Sequence, residues 1–321
     1  PASYGNAGHF SPYAVVQFNR PDILNDVPKM LLSSYGPLAL KWNYIPKMFQ
    51  WFYHYLKNCN KKSMLHTAKY MHQILNLSLD AYEEIFKEID TKGLVEKKGI
   101  IYVWTNKNLK SRNLEIKIRD DLGIKQKHLT QKEILELEPN LNPVFDAGVL
   151  YDYAMHARDP HGILKNLFKL FIKKGGKFIQ TDIKNLEQIS INETVIRSES
   201  ERYKFEKSVI ASGAFSKKLT DQLGENIPLD TERGYHVHFK NQDHLISRPV
   251  IFLDRGFGLT PMNQGLRAVG TVELGGLKNP PSEKRIKYII NCAKELLPQL
   301  KDHHDEWLGF RPTLPDFLPI L

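Results

Sequence analysis

The run Trp307-Leu-Gly-Phe-Arg-Pro-Thr-Leu-Pro-Asp-Phe-Leu-Pro-Ile-Leu321 holds one arginine in a segment that can be neither a helix nor a central strand. Pro312, Pro315 and Pro319 each remove a backbone donor and fix φ. Pro312 also pushes Arg311 towards an extended conformation. Gly309, just before it, lets another group approach the backbone closely. An arginine held extended presents a planar fork of donors that matches a carboxylate. On these residues alone, a surface pairing with Asp316 explains Arg311 equally well.

Four further runs bear on the choice. In Ser3-Tyr-Gly-Asn-Ala-Gly-His-Phe-Ser-Pro12, glycine, asparagine and serine can form a loop whose N–H groups converge on an anion or a polar ring edge. The same composition also makes a plain surface turn. Val209-Ile-Ala-Ser-Gly-Ala-Phe-Ser216 reads as strand, glycine turn and helix start, an arrangement that meets phosphates but also serves as an ordinary connection. Thr231-Glu-Arg-Gly-Tyr-His-Val237 and Leu266-Arg-Ala-Val-Gly-Thr-Val-Glu-Leu274 read as strands. Strand alternation sets His236 opposite to Tyr235. Tyr235 would close an amino-acid pocket with its ring and hydrogen-bond a carboxylate, or else be a half-buried sheet tyrosine.

Taken in order, the five runs resemble the D-amino-acid oxidase superfamily of flavoproteins, and most of all the bacterial D-amino-acid dehydrogenases. The resemblance extends over nearly all 321 residues. It implies an α/β (α+β) fold in which a Rossmann-like FAD-binding domain interleaves with a mixed-sheet substrate domain. Residues 1–20, 157–225 and 311–321 would form the first, and 21–156 and 226–310 the second. It further implies FAD contacts from Ser3, Asn6, Ala7, Gly8, Ile183, Ala211, Ser212 and Gly213. His9 would lie beside the flavin ring, Arg311 would hold the substrate carboxylate and Tyr235 would face the pocket. Such flavoproteins open with a strand, a Gly-x-Gly-x-x-Gly turn and a helix, then an acidic residue on the ribose. They close with a glycine-rich segment and a helix over the flavin. Neither pattern occurs here, so the expectation is an internal fragment with an incomplete cofactor domain.

Composition agrees with an enzyme of about two domains. Hydrophobic residues make up 41% and charged residues 25%, ordinary for a globular chain. Two cysteines, Cys59 and Cys292, support neither a disulfide framework nor a cysteine metal site, which fits a reducing, cytoplasmic compartment. The formal charge of +9 is spread mostly over lysines and accompanies no nucleic-acid recognition motif, so no nucleic-acid partner is expected. His303-His-Asp-Glu306 reads as a solvated loop, because adjacent ligands rarely converge on one tetrahedral ion. Residues 42–56 hold seven aromatics beside Lys41, Lys47 and Lys57. They are too short to span a bilayer, and suit either peripheral contact with the inner face of the cytoplasmic membrane or core packing.

Periodicity predicts one amphipathic helix over 64–89 and strands over 99–104 and 148–153. A capping box at Thr130 opens a short helix, and Asp159-Pro160 opens another. Strands are predicted over 177–181, 183–189, 194–197 and 208–211. Residues 226–310 are strand-rich, with one helix over 282–297. The chemistry that the resemblance implies is FAD-dependent oxidation of a D-amino acid at Cα, with electrons passed to a quinone or other respiratory acceptor. Three alternatives remain: a sarcosine- or glycine-type oxidase, a hydroxyproline-type dehydrogenase, and a flavin-free remnant or binding protein.

Overall fold

A computed structural model describes residues 2–21, 36 and 38–320. The part of the expected substrate domain over 22–35 lies outside the described residues. Among those described, a nine-stranded mixed sheet dominates. Its main path runs Asp305–Thr313, Asp230–Lys240, Gly265–Leu274, Phe257–Met262, Val250–Phe252, Ile100–Trp104, Ala147–Tyr151 and Lys127–Thr130, and Leu38–Leu40 pairs in parallel with Gly265–Leu274. The strand carrying Arg311 therefore lies at the sheet edge, where a proline costs no ladder bond on its outer side. The expected domain boundary between 310 and 311 falls inside this strand.

The longest strand, Asp230–Lys240, pairs on both sides. Its two faces differ. Tyr235, Val237 and Phe239 point into the main core, together with Ile286, Ile289, Ala293 and Leu296 of the helix Glu283–Leu296. Those four helix positions recur every three or four residues and so form one face. Glu232, Gly234, His236 and His238 alternate onto the opposite side. Arg233 shares the core side with Tyr235, and both meet Glu273: Arg233 Nη1 lies 3.0 Å from its carboxylate, and Tyr235 Oη donates to it at 2.5 Å. Glu273 compensates the buried Arg233 charge, and Arg233 Nη2 donates to the Asn279 and Pro280 carbonyls at 2.8 and 3.0 Å.

Several expectations change. The helix over 64–89 is two helices, Lys61–Leu75 and Ser78–Lys87. The break falls at Asn76 and Leu77, where the Ser78 hydroxyl donates to the Leu75 carbonyl and competes with the helical ladder. The expected strands over 177–181 and 208–211 are absent: those stretches have no hydrogen-bonded neighbour among the described residues, and a strand is defined by its partner. Between them a three-stranded antiparallel sheet forms from Asn185–Ser190, Glu193–Arg197 and Arg202–Phe205; its last strand was not predicted. The Thr130 capping box is complete, with Glu133 returning a bond to the Thr130 N–H. Asp159 caps the helix Pro160–Lys173 in position, though without a side-chain bond.

Candidate active site

The edge strand Asp305–Thr313 is the hub of the candidate site. On the open face of the sheet its Trp307 ring stacks on His236, with centroids 5.0 Å apart. Gly5 abuts the same indole so closely that a Cβ there would enter the ring. His236 Nδ1 lies 2.8 Å from the Gly5 carbonyl. A carbonyl only accepts, so Nδ1 carries the proton. Burial, with Arg267 beside it, lowers the His236 pKa to about 3 and keeps the ring neutral.

The N-terminal run is thereby fixed across the sheet. It forms a short helical turn, Ala2–Gly5, followed by a loop. Asn6 Oδ1 accepts from the Gly8 N–H at 2.8 Å, an Asx turn that Gly8 completes with φ +71°. The Asn6 carbonyl accepts from Arg267 Nη1 at 2.7 Å. Arg267 Nε donates to His238 Nε2, also at 2.7 Å, so that nitrogen must be unprotonated. Arg267 is buried with these two neutral partners, and burial lowers its pKa to about 10. The outer sides of Ser3 and Asn6 stay accessible.

Arg311 lies at the other end of the same face. It pairs in register with Glu232, and its guanidinium rests on Gly234. A Cβ at Gly234 would sit 2.5 Å from Arg311 Cζ and 3.0 Å from Nη1, so the glycine is what admits the fork. Arg311 Nη1 donates to the Thr271 carbonyl at 3.1 Å. Thr271 has φ +63°, a strained conformation for a β-branched residue. It falls where the register slips between Arg233↔Glu273 and Tyr235↔Gly270. This bulge is what turns its carbonyl onto Arg311. Burial raises the Glu232 carboxyl pKa, and Arg311 opposes that rise.

The structure thus brings Arg311, Trp307, His236 and the loop with Ser3, Asn6, Ala7 and Gly8 to one face. The turn with Ala211, Ser212 and Gly213 reaches the edge strand from its other side: it leads into Gly213–Phe215, whose Phe215 meets Phe310, the register partner of Arg233, edge-on at 6.0 Å. Gly213 has φ +57° and nothing within 4 Å of its Cβ position, so the turn is open to a ligand. Ile183 is half-buried just before the strand Asn185–Ser190.

Two expected residues lie elsewhere. Tyr235 is on the core face, with its hydroxyl also accepting from the Ser282 N–H at 3.1 Å, so it does not line a pocket with Arg311. The strand alternation that points His236 to the open face is what removes Tyr235 from that side. His9 bonds Thr260 Oγ1 at 2.8 Å and pairs with His156 across strands. Thr260, Arg267, His238 and Asp305 form one register row. Arg311 is six residues along the edge strand from that row, roughly 20 Å at about 3.3 Å per residue. His9 and Arg311 therefore cannot act on one reacting atom. Sequence reasoning missed Gly234, Thr271 and Arg267 as parts of the site. Of the signals available, the alternation of His236 and His238 could have revealed the open face; nothing local marked Thr271.

An extended arginine and a glycine- and asparagine-built loop on one face of a mixed sheet, with a glycine turn at its edge, belong to an α/β architecture. The chain belongs to the DAO family of FAD dependent oxidoreductases, whose profile matches residues 2–321. It is 29% identical over 326 residues to a D-amino-acid oxidase of Bradyrhizobium diazoefficiens, covering 100% of this chain and 77% of that protein. It is 27% identical over 328 residues to a D-amino acid dehydrogenase of Vibrio atlanticus, covering 99% and 78%. Its fold is that of glycine oxidase from Geobacillus kaustophilus, with a TM-score of 0.69 at 18% identity, covering 100% of this chain and 75% of that one. The cofactor is FAD; Ser3, Asn6, Ala211, Ser212 and Gly213 are exposed, and open space surrounds the Cβ position of Gly213, so nothing in the fold bars these two segments to it.

Proposed function

We propose that this protein is a D-amino-acid dehydrogenase in which Arg311 binds the substrate carboxylate. The observation that carries the reading is the Arg311 fork, solvent-accessible and laid over Gly234 on the face shared with the cofactor loop. Bound FAD supplies the redox step by accepting hydride from Cα. The chain's own part is binding and orientation. Arg311 fixes the carboxylate by two parallel donors, and the Thr271 carbonyl and Gly234 backbone fix Arg311. The substrate amine must be neutral when the hydride leaves. Neither His9 nor Tyr235 is placed to take its proton beside Arg311. The imine product then hydrolyses to a 2-oxo acid and ammonia. Apart from Arg311, residues 1–20, 157–225 and 311–321 would serve the cofactor and the remainder the substrate, with a quinone as electron acceptor.

A glycine- or sarcosine-type oxidase is the second reading, supported by the fold shared with glycine oxidase and by the D-amino-acid oxidase relative. A dye-reduction screen of the full-length protein against D-amino acids, L-amino acids and N-methylated glycines tests both. Dye reduction by D-amino acids is the expected result. Turnover confined to glycine and sarcosine would replace the first reading with the second.

A further inference from the structure

The aromatic segment 42–56 divides into two sets of rings. The helix Phe49–Asn58, with the preceding turn Trp42–Met48, turns Met48, Trp51, Phe52 and Tyr55 inward, where they pack with Leu38, Leu40 and Leu274. Trp51 Nε1 donates to the Thr313 carbonyl at 3.1 Å, which ties the helix to the edge strand two residues beyond Arg311. Core packing accounts for that set. It does not account for the others: Trp42 is 74% exposed, Phe49 76%, Tyr53 52% and Leu56 54%. Phe49, Tyr53 and Leu56 are spaced four and three apart, so they form one stripe along the outside of the helix. Lys57 lies over the Tyr53 ring at 5.2 Å, and Lys47 precedes the helix by two residues.

Charge decides what covers this stripe. Residues 38–79 contain Lys41, Lys47, Lys57, Lys61, Lys62 and Lys69 and not one Asp or Glu. Among the described residues Lys47, Lys57, Lys61, Lys62 and Lys69 have no carboxylate partner. Large exposed rings with lysines beside them, in a stretch that itself carries no acid, match the headgroup boundary of an anionic bilayer, where rings enter and ammonium groups meet phosphates; the carboxylates that reach this segment, Asp230 and Glu273, meet Tyr44 and Lys41 and not the outer stripe. A second copy of the chain fits poorly, because a two-fold contact through this stripe would set the same lysines against each other.

We propose that Trp42 and the outer face of the helix Phe49–Asn58 form a docking surface for an anionic lipid bilayer. The surface places the site of Arg311 close to the membrane, which is where a quinone would collect electrons; that last link rests on the acceptor proposed above, but the docking surface does not. Cosedimentation of the full-length protein with vesicles separates the two. Vesicles of phosphatidylcholine with phosphatidylglycerol should retain the protein, pure phosphatidylcholine should retain much less, and added salt should release it. Combining Trp42→Ser, Phe49→Ser and Tyr53→Ser should lower partitioning at least tenfold, while Lys47→Gln and Lys57→Gln should each lower it about fivefold. Dye-reduction activity and Tm should persist, since these side chains lie outside the core. Equal retention by both vesicle types, no retention by either, or unchanged retention of the triple variant would overturn the proposal. So would a dimer in gel filtration that the triple variant dissolves, because the face would then belong to a second copy.

Discussion

Replacing Gly234 with alanine tests whether the position of Arg311 matters to the chemistry. The backbone at Gly234 is not in the left-handed region, so alanine fits it without strain. The added Cβ would nevertheless stand 2.5 Å from Arg311 Cζ and 3.0 Å from Nη1. Carbon atoms in contact stand about 3.5–4 Å apart, so the guanidinium must retreat by about 1 Å or more. That also breaks the 3.1 Å bond to the Thr271 carbonyl. A misplacement of about 1 Å in a positioning group costs on the order of a hundredfold in rate. The kcat/KM of Gly234→Ala for D-amino acids should fall by that order, with FAD content unchanged. Amino-acid amides should distinguish variant from wild type far less, because they offer no carboxylate. Stability should change little, since the hydrogen bond lost (about 1 kcal/mol) is nearly offset by the reduced chain entropy of alanine. A variant with wild-type kcat/KM for the acids would refute the reasoning, since Arg311 could then not be working from this position.

Tyr235→Phe removes the hydroxyl between Glu273 and the Ser282 N–H and leaves both buried; thermal melts should show a loss of about 1–3 kcal/mol, with kcat/KM per bound FAD unchanged, whereas a large fall in kcat/KM would return Tyr235 to the substrate. Burial lowers the pKa of His156 to about 4, His236 to about 3 and His238 to about 4. The unfolded chain therefore takes up these protons first, and stability present above about pH 6.5 should drain away as pH falls towards 4. At pH 5 each ring costs at most about 2 kcal/mol, so Tm should drop between pH 7 and pH 5 and drop less in His156→Gln; a Tm indifferent to pH would contradict the burial. Turnover of D-amino acids should release little hydrogen peroxide, and sustained stoichiometric peroxide would make the protein an oxidase.

The large elements were legible because single residues dictated them. Pro312 beside Arg311 made the closing run extended, and an edge strand is where the structure places it. Pro298 stops the helix expected over 282–297, and the structure ends it at Leu296. Failures came where a distant partner decides. Residues 177–181 and 208–211 carry strand-like side chains, yet no neighbouring strand pairs with them among the described residues. Asn76 and Ser78 broke a helix whose apolar spacing continued through the break, because a side-chain bond to the Leu75 carbonyl outweighed periodicity. In the site, Arg311 and the 3–8 loop came from local composition and order. Gly234 and Thr271 gain their roles only from strand register, which no short stretch of sequence encodes.

The carboxylate clamp of Arg311 is the central claim. The most direct measurement is the rate of anaerobic flavin reduction by a D-amino acid and by its amide, in the full-length wild type and in Arg311→Lys. Lysine keeps the charge but loses the planar fork. The account predicts rapid bleaching of the wild-type flavin by the D-amino acid and a loss on the order of a hundredfold in Arg311→Lys at equal FAD content. It also predicts nearly equal, slow reduction of both proteins by the amide. Equal rates for the acid in both proteins, or a flavin that no D-amino acid bleaches, would contradict it.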